Sequence, residues 1–176
     1  PGAVNALIAR LPAIRRSEEV DFCIANGENA CVGNGLDPAS AKRLLSGGVD
    51  AITTGNHVWH KRELCEWLNP GVPVLRPANY PPTNPGRGSC ILPVGGRRIL
   101  VMNLMGVVYT EPLENPFFAA DRLLAEAKGQ YDIAVLDFHA EATGEKRALA
   151  CSLDGRISVL FGTHTHVPTA DEQILP

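Results

Sequence analysis

The sequence predicts a layered α/β domain, and three observations carry that prediction. Four short apolar runs, residues 20–25, 51–54, 133–138 and 157–161, are β-branched or aliphatic and almost free of charge, as strands buried on both faces are. Helix-like stretches bounded by caps and breakers alternate with them. Each run also ends in potential metal ligands: Asn26-Gly27-Glu28-Asn29, Gly55-Asn56-His57, Asp137-Phe138-His139 and Gly162-Thr163-His164-Thr165-His166. In an open α/β sheet the carboxyl ends of parallel strands converge on one rim, so the four tips are expected to share one pocket.

Taken in order, the chain opens on a helical pattern. Pro1 suits a first helical turn, and Val4, Leu7, Ile8, Leu11 and Ile14 recur at helical spacing, with Pro12 expected to kink or shorten the helix. The run at 20–25 delivers Glu28. Asp37 then caps a second helix with Pro38 at its first position, Leu44 and Leu45 facing inward, and Gly47-Gly48 ending it. The run at 51–54 delivers Asn56. Leu64, Trp67 and Leu68 mark a third helix, with His60 expected in its first turn.

Residues 89–94 and 97–103 read as two strands joined by a Gly95-Gly96 hairpin turn, which makes the sheet system mixed. Asn115 and Pro116 open a fourth helix that buries Phe117, Leu123 and Leu124 and stops at Gly129. The run at 133–138 delivers His139, a short helix spans 143–152, and the run at 157–161 delivers His164 and His166. Residues 76–88 form the one long irregular loop, of a kind that is often functional.

A chain of 176 residues supports one substantial core, and we expect one domain over 1–176. The formal net charge of -3 gives no field to attract nucleic acid or an acidic membrane surface, and argues against stable nucleic-acid binding. No apolar stretch is long enough to cross a bilayer and the first residues lack a signal-peptide layout, so a cytoplasmic location and no membrane partner are expected. Five cysteines, odd in number and without a Cys-x-x-Cys, read as reduced core residues, with Cys31 near the Asn29 loop. Oligomeric state is open, a homo-oligomer included.

The ligand chemistry points to a two-metal hydrolytic site. His164 and His166 alternate along an extended segment, so both imidazoles are expected to face one pocket. A buried, unpaired Glu28 carboxylate would be costly, and a position between two cations removes that cost. Asn29 and Asn56 offer neutral amide oxygens that suit divalent metals without adding negative charge. His57 follows a ligand and so points elsewhere, which suits a general acid. Asp137 and Glu141 flank His139 and can orient imidazoles. Arg76 and Arg87, in or beside the long loop, are candidate phosphate or nucleotide contacts.

These residues stand in blocks that closely resemble the YmdB-like family of calcineurin-type metallophosphoesterases. The blocks are residues 25–30 (Ala-Asn-Gly-Glu-Asn-Ala), 54–57 (Thr-Gly-Asn-His), 75–81 (Leu-Arg-Pro-Ala-Asn-Tyr-Pro), 101–106 (Val-Met-Asn-Leu-Met-Gly), 137–143 (Asp-Phe-His-Ala-Glu-Ala-Thr) and 162–167 (Gly-Thr-His-Thr-His-Val). The resemblance implies an α/β/β/α sandwich, incomplete here at both ends. It implies that Glu28 bridges two divalent metal ions, iron, manganese or zinc. Asn56, His139 and His164 would hold one of them, Asn29 and His166 would help hold the other, and His57 would be the proton donor.

The resemblance further implies hydrolysis of 2′,3′-cyclic nucleotides or related small phosphodiesters by a metal-bridging hydroxide. Family members begin with a strand and a Gly-Asp loop that supplies an aspartate ligand, and they continue past Pro176. The chain is therefore expected to be an internal fragment. Two other readings follow from the missing aspartate: a non-catalytic metal- or nucleotide-binding regulatory module, and a hydrolase using one metal on Glu28, Asn56, His139 and His164.

Overall fold

The structure, a computed structural model, describes residues 2–68 and 71–176. In chain order it consists of α1 (Gly2–Ser17), β1 (Ile24–Asn26), α2 (Pro38–Ser46), β2 (Ala51–Thr53), α3 (Arg62–Trp67), β3 (Ser89–Val94), β4 (Arg97–Met105), α4 (Pro116–Glu126), β5 (Ile133–Ala140), α5 (Thr143–Ser152) and β6 (Val159–His164). The expected place of Pro1 in the first helical turn lies outside the described residues.

The strands form two sheets where a single rim was expected. One holds β1 and β2 in parallel; the other has the order β3-β4-β5-β6, antiparallel at the β3–β4 hairpin and parallel beyond it. Helices cover the outer faces, which gives the four layers of the calcineurin-like metallophosphoesterase sandwich. α1, α2 and α3 bury Val4, Leu11, Leu44 and Leu64 with Ile52 of the small sheet, while α4 and α5 bury Ala119, Leu123 and Leu149 with Leu100, Met102, Leu136 and Phe138 of the large one. Between the sheets lie Ala51, Leu75, Ile99, Val101 and Val135, with Ile24 against them.

The period-two alternation of strands decides what meets in that inner gap. On β5, Ala134, Leu136 and Phe138 face α4 and α5, so Val135, Asp137 and His139 face the small sheet. By the same parity Asn26 follows Ile24, and Thr53 follows Ala51, into the gap. These polar side chains close on Asp137, which is fully buried: Thr53 Oγ1 donates to Asp137 Oδ2 at 2.5 Å and Asn26 Nδ2 at 3.2 Å, while Thr163 Oγ1 of β6 donates to Oδ1 at 2.7 Å. Burial pushes the Asp137 carboxyl up to about 6, against the pull of those three donors. At neutral pH it is a carboxylate that ties one sheet to the other.

Local signals explain most element boundaries. Asp37 caps α2 by accepting from Ser40 N at 2.6 Å, and Asn115 caps α4 by accepting from Phe117 N at 2.9 Å; each helix then begins with Pro. Gly95 and Gly96 both have positive φ, +56° and +79°, as the two-residue hairpin turn requires. α1 runs through Pro12 to Ser17, where a kink or early stop was expected. Its last turn is held from outside, because Arg15 Nη1 donates to Gly48 O at 2.6 Å and to Asp50 Oδ2 at 2.7 Å. β1 begins only at Ile24 and β6 only at Val159, each later than its apolar run, while β4 and β5 reach Met105 and Ala140. His60 lies before α3, not in its first turn. All five cysteines are free thiols. Among the described residues no helix is long and apolar enough to cross a membrane.

Candidate metal centre

The strand tips that carry the ligands belong to different sheets and meet across the gap. Glu28 follows β1, Asn56 and His57 follow β2, His139 sits near the end of β5, and His164 closes β6. Glu28, His139 and His164 each offer a ligand atom, and these atoms lie within 4.8 Å of one another. His139 Nε2 is the centre of the cluster. Asn56 Oδ1 lies 2.9 Å from it, His164 Nδ1 3.1 Å and Glu28 Oε1 3.3 Å.

The outer partners of the two imidazoles set how the rings face the cluster. Thr163 gives its hydroxyl proton to Asp137, so it can only accept at 2.9 Å from His139 Nδ1, which must be the protonated nitrogen of that ring. Burial, and then the imidazole of His164, push the His139 pKa down to about 3, so the ring is neutral and its Nε2 is a bare lone pair. His164 Nε2 faces Glu141 Oε2 at 3.0 Å on its outer side, which turns Nδ1 towards His139 Nε2.

Potential ligand atoms of Glu28, Asn56, His139 and His164 thus converge on one point. Such a donor set fits a divalent cation, with outer partners orienting the imidazoles as they do around metal-bound histidines. Gly55 leaves the room: a Cβ at that position would stand 2.2 Å from His139 Nε2 and 2.4 Å from Glu28 Oε2.

Beside this cluster is a second group. Asn29 Nδ2 donates to Glu28 Oε1 at 3.2 Å and lies 3.3 Å from His166 Nε2, while its Oδ1 stands 3.0 Å from His57 Nδ1. His57 also donates its backbone N–H to Glu28 Oε2 at 3.3 Å, and its ring is stacked on that of His60 with centroids 4.5 Å apart. Adjacent in sequence, Asn56 and His57 therefore diverge, one to His139 and the other to Asn29. His164 and His166 do not extend as an alternating pair; both have positive φ, +91° and +53°, and a sharp turn brings them to different neighbours. A cleft of about 480 Å³ runs alongside, lined by Val4 and Leu7 of α1, by Glu28 and Asn29, and by His164 and His166.

Arg76 and Arg87 are not brought to this cluster. Arg76 is buried and donates to Pro77 O at 2.8 Å and Pro85 O at 3.3 Å, while Arg87 Nη2 donates to Val72 O at 3.4 Å. Both line a separate cleft with Glu114 and Arg122. Their guanidinium groups tie the irregular loop together through its carbonyls.

Sequence reasoning passed over Asn26, Thr53, Asn103 and Thr163. Asn103 Oδ1 accepts from Thr54 N at 3.0 Å, which sets the Gly55-Asn56 turn against the large sheet. The signal was available: each is a polar residue at or beside an apolar strand run, with a parity that puts it in the gap.

The comparisons agree with this geometry. A 2′,3′-cyclic-nucleotide 2′-phosphodiesterase of Bacillus subtilis (strain 168) is 44% identical over 166 residues, covering 94% of this chain and 63% of the relative. The chain thus spans less than two thirds of that curated protein. A crystal structure of a hypothetical protein from Thermus thermophilus superposes with a TM-score of 0.92 at 48% identity, over 98% of this chain and 67% of the other. A putative 5′-nucleotidase of Staphylococcus aureus shares the fold alone, at TM-score 0.64 and 20% identity over 94% of this chain and 41% of that one. The sequence model of YmdB-like proteins matches residues 2–176, and with fold and ligand cluster in agreement the chain belongs to the YmdB-like family.

Proposed function

We propose that this chain forms one metallophosphoesterase domain that hydrolyses 2′,3′-cyclic nucleotides or closely related phosphodiesters with two divalent cations, iron, manganese or zinc. The observation that carries the reading is the convergence of ligand atoms from Glu28, Asn56, His139 and His164 on one point, with Thr163 and Glu141 holding the two imidazoles from outside. Asn56, His139 and His164 would hold one cation, Asn29 and His166 would help hold the other, and Glu28 would serve both. For Asn29 this requires its amide to turn, since its nitrogen and not its oxygen faces His166. When bound, the cations supply charge against the phosphodiester and lower the pKa of water at the site.

The chain's own residues do the rest. Asn29 and Asn56 would offer amide oxygens without adding negative charge, which favours entry of an anionic diester. His57, whose Nδ1 lies 3.0 Å from Asn29 Oδ1, would give a proton from its other nitrogen to the departing ribose oxygen.

The experiment is manganese-dependent hydrolysis of 2′,3′-cyclic AMP, with metal content measured alongside, on this chain, on a version extended to its relatives' length, and on Glu28→Gln in each. Turnover that requires manganese and is lost in Glu28→Gln supports the reading. Folded, metal-loaded protein that leaves the diester intact in both lengths replaces it with the binding-module reading.

A further inference from the structure

We propose that Tyr109 is the platform on which the aromatic base of the substrate stacks, an inference that rests on the phosphodiesterase reading and says which diesters are preferred. The turn that carries Tyr109 starts at the candidate metal centre. Met105 is the ladder partner of His139, and Gly106 N donates to His139 O at 3.0 Å. The far end is fixed as well. Glu111 Oε1 accepts from Tyr80 OH at 3.0 Å; the Tyr80 ring stands edge-on to Trp59 with centroids 5.3 Å apart; and Trp59 lies in the turn that begins with His57. The segment that carries Tyr109 is therefore tied to His139 at one end and, through Tyr80 and Trp59, to the turn of His57 at the other.

Between those anchors the backbone is held rigidly. The buried carboxylate of Glu145, from α5, accepts from Val107 N at 2.9 Å and Val108 N at 3.4 Å, and Thr110 Oγ1 donates to Gly106 O at 2.5 Å. Gly106 is required, since a Cβ there would fall 2.3 Å from Glu145 Oε2 and 2.6 Å from Ala140 Cβ. What this framework holds in place is a tyrosine at φ +64°, a left-handed conformation uncommon for its type, with 88% of its surface in solvent.

The exposed ring makes no core contact here, yet its backbone has a left-handed φ and the residues on either side of it are held by four hydrogen bonds. Strain of this kind collects at ligand clamps. A rigid, solvent-facing aromatic loses little freedom on binding, and every nucleobase offers it a π-face. With the phosphate at the Glu28–His139 cluster, a base directed along the Gly106–Thr110 turn, whose first residue is bonded to His139, would meet the Tyr109 ring.

The test compares the manganese-loaded parent with Tyr109→Ala and Tyr109→Phe on two ligands, 2′,3′-cyclic AMP and ribose 2,3-cyclic phosphate, which carries the same diester without a base. Tyr109→Ala is expected to raise KM for the nucleotide about tenfold with kcat nearly unchanged and to spare the base-free diester, while Tyr109→Phe restores the parent KM. An equal rise on both ligands, or none on either, overturns the stacking role. Calorimetric titration with the same ligands separates this inference from the reading beneath it. A parent that turns over neither ligand, in this chain and in the version extended to its relatives' length alike, sinks the phosphodiesterase reading. A tenfold loss of binding confined to the nucleotide in Tyr109→Ala still supports stacking, and equal binding by parent and variant overturns it.

Discussion

Thr163 Oγ1 lies 2.9 Å from His139 Nδ1, directly across the β5–β6 ladder, and passes its own proton to Asp137 at 2.7 Å. Replacing Thr163 by Val keeps the shape and removes the relay, so the His139 tautomer is no longer imposed. Metal affinity should fall about 10- to 100-fold, with Thr163→Ser close to the parent. Calorimetric titration with manganese reads this directly, and equal affinities for parent and Thr163→Val would remove the relay from the account.

Gly55 is a question of space. With a Cβ 2.2 Å from His139 Nε2, Gly55→Ala should drive His139 and Glu28 apart and abolish tight metal binding while circular dichroism shows the fold kept. Metal content measured after dialysis decides it; a variant that retains the parent's content contradicts the predicted crowding.

His57 should separate from the ligands in its phenotype. His57→Ala is expected to lower kcat on a cyclic phosphodiester about 100- to 10,000-fold and leave metal stoichiometry unchanged. Parallel loss of metal and turnover would instead make His57 a ligand.

A pH effect on stability should appear well away from the site. Arg98 donates to Asp132 through Nη2 at 2.9 Å, Nε at 3.3 Å and its backbone N–H at 2.7 Å, and these bonds hold the carboxyl at about 2, below its ordinary 3.8. Because the folded pKa is the lower one, the contribution is complete above the unfolded value and fades as pH falls through about 2. The stability gap between the parent and Asp132→Asn, from urea unfolding, should be constant from neutral pH down to about 5 and shrink below 4. A gap independent of pH would show that the pair does not act through ionisation.

Much of this architecture was readable from the chain because burial leaves plain marks. Apolar runs that end in Asn, Glu or His announced the ligand tips, and Asp37-Pro38 and Asn115-Pro116 announced the first residues of two helices. Strand patterning alone could not say that the tips hang from two sheets, which the family resemblance did imply, since strand parity is local while sheet partnership depends on pairing between residues as distant as Ile24 and Ala51. Thr53 and Thr163 were marked only by strand parity, and a threonine in a strand gains a role once the carboxylate it faces is known. Arg76 misled because a cation in a proline-rich loop suggests an anion, whereas the carbonyls of Pro77 and Pro85 already occupy it.

The inter-sheet layer of Ala51, Val101 and Val135 also has a metrological role. Glu28 and Asn56 ride on one sheet and His139 and His164 on the other, so the thickness of that apolar layer is the gauge block for the ligand cage. A methyl group added at Ala51 acts as a shim, widening the jaws by a fraction of an ångström. Tuning of metal preference can therefore be sought in residues that touch neither metal nor substrate.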